Sequence, residues 1–140
     1  MSLSEKQLAL IRQSFDTLRK DPVSHSTEFY EALFRRAPQL RNLFRDDLSN
    51  QGMRFMTTLG AIVDNMHDPE ALSGRYAELG KGHRALGVKA EDFEPMGEAL
   101  LETLEKALGD AFTPEMRAAW AEAYDEMARE IIERGDIEHA

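Results

Sequence analysis

The sequence predicts an all-α protein of six to seven helices of unequal length. Apolar residues recur at steps of three and four along nearly the whole chain, and no segment alternates apolar and polar residues as a strand would. Proline or glycine stands where one periodic run gives way to the next. At 140 residues the chain is long enough for one substantial core. It contains no internal repeat, low-complexity tract or linker, so residues 1–140 read as a single domain. The unequal runs suit crossed, irregular packing better than an up-down four-helix bundle.

In order, Ser4 and Gln7 have capping-box spacing, and Leu8, Ile11, Phe15 and Leu18 form a stripe to about Arg19. Asp21-Pro22 offers an N-cap with proline at the first helical position, opening a helix to about Arg36 with Phe29, Tyr30, Leu33 and Phe34 on its apolar side. Pro38 starts a short segment carrying Leu40, Leu43 and Phe44, and the polar stretch from Arg45 to Asn50 is expected as a loop ending in a cap. A helix from about Gln51 to Met66 follows, with Phe55, Met56, Leu59, Ile62, Val63 and Met66 on a wide apolar face. Asp68-Pro69 begins the next, and Gly87 is its expected left-handed C-cap. Phe93, Met96, Leu100, Leu101, Leu104 and Leu108 define a helix from Ala90 that Gly109 ends. Thr113-Pro114 caps the last helix, whose stripe is Met116, Trp120, Tyr124 (or Ala123), Met127 and Ile131.

A net charge of -9 argues against nucleic acid or an anionic membrane as partner, since phosphate binding needs a basic surface. Cysteine is absent, which excludes disulfides, thiol nucleophiles, iron–sulfur clusters and thiolate-ligated haem and is compatible with a reducing cytosol. There is no basic-then-apolar leader and no apolar run of membrane-spanning length. The expected location is cytoplasmic.

The stretch from Leu72 to Leu86 is the most informative. Leu72, Tyr76, Leu79, His83 and Leu86 lie on one helical stripe. A histidine among core residues must find a partner, because an unpaired buried imidazole is costly. It is either a core histidine bonded to a backbone carbonyl or a metal ligand. As no second histidine or cysteine lies near, the metal would be one that brings its other ligands, most plausibly haem iron. Gly80 and Gly82 each cost a helix about 1 kcal/mol relative to alanine. They are explained either by fraying near the helix end or by something flat lying against the backbone beside His83.

Other motifs fail. Gly80-Lys81-Gly82-His83-Arg84-Ala85 matches a dinucleotide-binding pattern but lies late in a helical stripe, where that pattern has no meaning. The histidines, at 25, 67, 83 and 139, have no metal-helix spacing, so a zinc or di-iron site has no support. No serine or threonine stands in a nucleophile setting, and the scattered carboxylates read as a solvated surface.

Tyr30 on the apolar side of its helix needs a partner for its hydroxyl. Phe44 ends the short segment after Pro38, and Gln51 stands one turn before Phe55 on a shared face. Singly, each has an ordinary explanation in the core or at the surface. Together with Phe29-Tyr30, Pro38 through Leu43-Phe44, Ser49-Asn50-Gln51, His83 thirty-two residues after Gln51, Gly97 through Leu101, and Ala119-Trp120 with Ala123-Tyr124, the chain resembles the globin family. The resemblance is to the single-domain bacterial globins related to the haem domain of flavohaemoglobins, and it covers nearly the whole chain.

The resemblance implies a globin fold packed around haem b. His83 would be the proximal iron ligand, Phe44 would stack on the haem, and Tyr30 and Gln51 would be the distal pair that hydrogen-bonds O2. Phe55 would wall the distal pocket, and Leu79, Val88, Phe93, Met96 and Leu100 would line the proximal and inner sides. Arg54 and Lys81 are the expected cations for the haem propionates. The implied function is reversible binding of O2, with NO and CO as further ligands, and nitric oxide dioxygenase-type turnover served by an external reductase. The alternative is a gas sensor or partner-binding globin without turnover. A monomer or weak homodimer is expected. The chain departs from flavohaemoglobins at the proximal side, where Phe93 replaces a tyrosine and Gly135 lies near the position of a glutamate. Without that carboxylate, His83 is expected to be a neutral imidazole bonded to a backbone carbonyl, which speaks against peroxidase-like chemistry. The chain ends at Ala140 and leaves no room for a flavin reductase domain.

Overall fold

A computed structural model describes residues 3–44 and 48–139. Among these residues there are six α-helices and no strand: α1 (Glu5–Arg19), α2 (Pro22–Arg36), α3 (Leu48–Asp64), α4 (Pro69–Leu86), α5 (Phe93–Leu108) and α6 (Pro114–Gly135). Short 3₁₀ turns occupy Pro38–Leu43, Ala90–Asp92 and Gly109–Ala111. None of the helices is long and apolar enough to cross a membrane.

The caps are built from the residues that predict them. The Ser4 hydroxyl accepts from the Gln7 amide at 3.1 Å while the Gln7 side chain accepts from the Ser4 amide at 2.9 Å, a reciprocal box that satisfies two orphan donors. Asp21 and Thr113 accept from Ser24 and Met116, whereas Asp68 makes no side-chain cap bond. Gly87 ends α4 at φ 91°, a left-handed conformation open to glycine at little cost.

Two boundaries differ from expectation. α3 begins at Leu48, so Leu48, Ser49 and Asn50 are its first turn rather than part of a loop. Amides in a first turn lack intrahelical partners anyway, so poor helix formers are tolerated there. The remainder of that expected loop, residues 45–47, lies outside the described residues. The run from Ala90 starts as a 3₁₀ turn, capped by the Asp92 carboxylate accepting from the Lys89 amide at 2.9 Å.

α4 packs chiefly on α6, while α2 packs on α3 and α5, and α1 packs on α6, α3 and α5. The α4–α6 crossing is tight because two glycines meet. A Cβ on Gly80 would lie 2.4 Å from the Gly135 Cα and 2.5 Å from the Ile131 carbonyl oxygen, so only a bare backbone fits. This overturns, for Gly80, the expectation that the glycine pair makes room for a flat group beside His83: its neighbour is helix α6. Gly82 has nothing within 4 Å of its Cβ direction. Leu86 departs from its expected core position. It is half exposed, because α4's last turn lines a cavity instead of packing on another helix.

Deep in the core, the fully buried Trp120 donates its indole N–H to the Ser14 hydroxyl at 2.7 Å. That hydroxyl donates in turn to the Leu10 carbonyl at 2.7 Å. The pair fastens α1 to α6. Replacing Ser14 by alanine strands a buried N–H, which costs about 1–3 kcal/mol. Urea unfolding of Ser14→Ala should show a lower midpoint with an unchanged slope.

Candidate functional site

Between the α2–α3 layer and α4 lies a cavity of about 500 Å³, a volume typical of sites for organic ligands and cofactors. Phe29, Tyr30 and Leu33 of α2 and Gln51, Arg54 and Phe55 of α3 form one wall. Leu79, Gly82, His83 and Leu86 of α4 form the other, Phe93, Met96 and Leu100 of α5 with Met127 and Ile131 of α6 close it, and Phe44 and Val88 complete the lining.

His83 reaches the cavity from the last turn of α4. Its Nδ1 lies 2.7 Å from the Leu79 carbonyl oxygen. A carbonyl only accepts, so Nδ1 carries the proton and the lone pair is left on Nε2. Burial pushes the His83 pKa down, and the carbonyl bond opposes it with smaller effect. The imidazole is therefore neutral at pH 7, the form that binds a metal. The Phe93 ring is tilted against it with centroids 5.4 Å apart, and the Tyr124 hydroxyl holds the Phe93 carbonyl at 2.7 Å. Gly135 is packed against Gly80, so no side chain fits there.

The other wall is aromatic. Phe29 and Phe55 stack at 4.3 Å, and Tyr30 is met edge-on by Phe29 at 5.1 Å and by Phe44 at 5.4 Å. Within this apolar cluster the polar group is the Tyr30 hydroxyl. Burial pushes its pKa up, while hydrogen bonding by the Gln51 side chain and the charge of Arg54 pull the other way. The Arg54 Nη2 donates to the Gln51 Oε1 at 3.0 Å.

All the residues expected at the site line the cavity except Lys81, which is exposed and absent from the lining. Lys81 is two residues before His83, on a different face of α4. Its place is taken by Arg75, which lines the cavity together with Glu78. Sequence reasoning missed Arg75, although Arg75, Leu79 and His83 follow one another at steps of four. Met127 and Ile131 carried no local signal that they face a cavity rather than packed core.

The lining fits haem. Among the described residues no three His, Cys, Asp or Glu side chains converge to hold a metal ion, so His83 can serve only an ion that brings its other ligands. A porphyrin does so, its apolar faces suit the aromatic and aliphatic walls, and Arg54 and Arg75 suit its carboxylates. A His83 that must stay neutral makes the haem-free fold weaker in acid. Its folded pKa is depressed, so the unfolded chain binds the proton first and stability falls as pH drops below about 6.5. The melting temperature of haem-free wild type should therefore fall faster than that of His83→Phe between pH 7.5 and 5.

The protein-family profile described as Globin matches residues 27–131. Neuroglobin of Tetraodon nigroviridis and neuroglobin of Dissostichus mawsoni are each 35% identical to the chain over 136 residues, covering 87% of it and 86% of the relative. Neuroglobin-1 of Oncorhynchus mykiss is 34% identical with the same coverage.

Proposed function

The chain belongs to the globin family, a family of haem proteins that bind diatomic gases, and from that premise we propose that it holds haem b through His83 and binds O2 reversibly. The observation that carries the reading is a neutral imidazole, with Nδ1 engaged and Nε2 free, across one apolar cavity from a buried tyrosine hydroxyl.

Haem, when bound, supplies the iron site for the gas and its redox chemistry. The remaining work falls to side chains. The Leu79 carbonyl fixes the tautomer and ring orientation of His83. Tyr30 and Gln51 donate hydrogen bonds to a ligand carrying partial negative charge, and in a dry pocket such bonds slow its release. Phe29, Phe44 and Phe55 keep water out and pack on the ring, with Leu79, Val88, Phe93, Met96 and Leu100 on the remaining sides. Arg54 and Arg75 pair with the propionates.

The finer kinship to single-domain bacterial globins rests on the Tyr30–Gln51 pair, and with it comes turnover. Nitric oxide, O2 and one electron from an external reductase yield nitrate. A carbonyl-bound His83 without a carboxylate partner favours this over peroxidase-like chemistry. We also assign residues 1–140 to one globin domain, since α1, outside the matched span, packs into the same core through Ser14 and Trp120. We place it in the cytoplasm, as a monomer or weak homodimer.

The purified protein should show a Soret band after haem addition, and His83→Ala should lose or shift it. A colourless wild type after haem addition would remove the cofactor and every role above. Rapid mixing of the oxygenated protein with nitric oxide should produce nitrate stoichiometrically; ligand exchange without nitrate would leave a gas-binding protein without turnover.

A further inference from the structure

The Arg54 guanidinium, besides facing the haem carboxylates, contacts Gln51, with Nη2 3.0 Å from Oε1. A guanidinium has donors and no acceptor, so the Gln51 atom facing it must be the carbonyl oxygen. The other end of the same amide is the NH2 group, and it is the Gln51 group left to act on Tyr30, which shares the cavity lining with it and whose pKa Gln51 pulls down. An NH2 group can only donate, so the Tyr30 oxygen accepts and its single proton remains uncommitted. Phe29, Phe34, Phe44 and Phe55 surround the Tyr30 ring and offer that proton no acceptor.

We infer that Arg54 is a positioning residue that fixes the direction of the chain Arg54 → Gln51 → Tyr30, so that the Tyr30 hydroxyl is free to donate into the cavity. With Arg54 gone the amide can turn over. Its oxygen then accepts the Tyr30 proton, and the cavity loses the Tyr30 donor with Tyr30 and Gln51 both still in place. The guanidinium has five N–H groups, so holding Gln51 does not prevent Arg54 from also meeting a propionate. The inference rests on the proposed role of Tyr30 as a donor to the bound gas.

The test is the O2 dissociation rate of the haem-loaded protein for Tyr30→Phe, Arg54→Leu, Gln51→Ala and the double variant Arg54→Leu/Gln51→Ala. It is joined by nuclear Overhauser contacts between the Gln51 NH2 protons and the Tyr30 ring, recorded on purified protein kept diamagnetic with CO. Tyr30→Phe should speed release by about tenfold, the loss of one hydrogen bond, and Arg54→Leu should approach it. In the Gln51→Ala background Arg54→Leu should change the rate less than twofold, because Arg54 acts through the amide. The Gln51 NH2 contacts should be present in wild type and lost in Arg54→Leu. Equal effects of Arg54→Leu with and without Gln51, or NH2 contacts that persist in Arg54→Leu, would overturn the inference while leaving Tyr30 its role. An unchanged rate in Tyr30→Phe would instead overturn the role of Tyr30 on which it stands.

Discussion

The contact on which the rest of the structure depends is the crossing of α4 over α6 at Gly80 and Gly135. Added Cβ atoms there would lie within 2.3–2.4 Å of the opposing Cα atoms, so the two backbones touch directly. That approach sets the height and rotation of α4, and the consequences are felt three residues on, at His83. Because α4 spends its packing on α6, the helix stands away from α2 and α3. The gap so created is the cavity, and Leu86 at its edge is left half exposed.

The same helix α4 carries His83 into the cavity lining. The His83 Nδ1 is turned to the Leu79 carbonyl of its own helix. Burial holds that imidazole neutral, and the carbonyl bond opposes it with smaller effect.

On the facing wall, polarity is concentrated in one line of groups. Arg54 stands at the exposed edge, Gln51 is half-buried, and the Tyr30 hydroxyl lies at the buried end among aromatic rings. Such a line conveys direction as well as attraction, since a cation at the outer end permits one orientation of the amide. The aromatic shell contributes dryness, and in a low-dielectric setting each of these bonds counts for more than it would in water. Along the core side, the Ser14–Trp120 bond plays the complementary structural part by tying α1 to the helix that α4 crosses.

The sequence by itself determined the helices, their caps and most of the cavity wall. Those features have short-range causes: a hydroxyl three residues from an amide at Ser4, a glycine at Gly87, aromatics repeating on one face at Phe29-Tyr30 and Phe55. A carbonyl partner for His83 was one of the readings its place on a core stripe allowed. Only the tertiary structure decided what Gly80 is for, since its reason lies fifty-five residues away in α6. Likewise, it took the packed fold to exclude Lys81 and admit Arg75, because which face of a polar helical turn meets a cavity depends on how the whole helix is rotated. Helical periodicity records that a residue is covered, and the packing of distant segments decides by what.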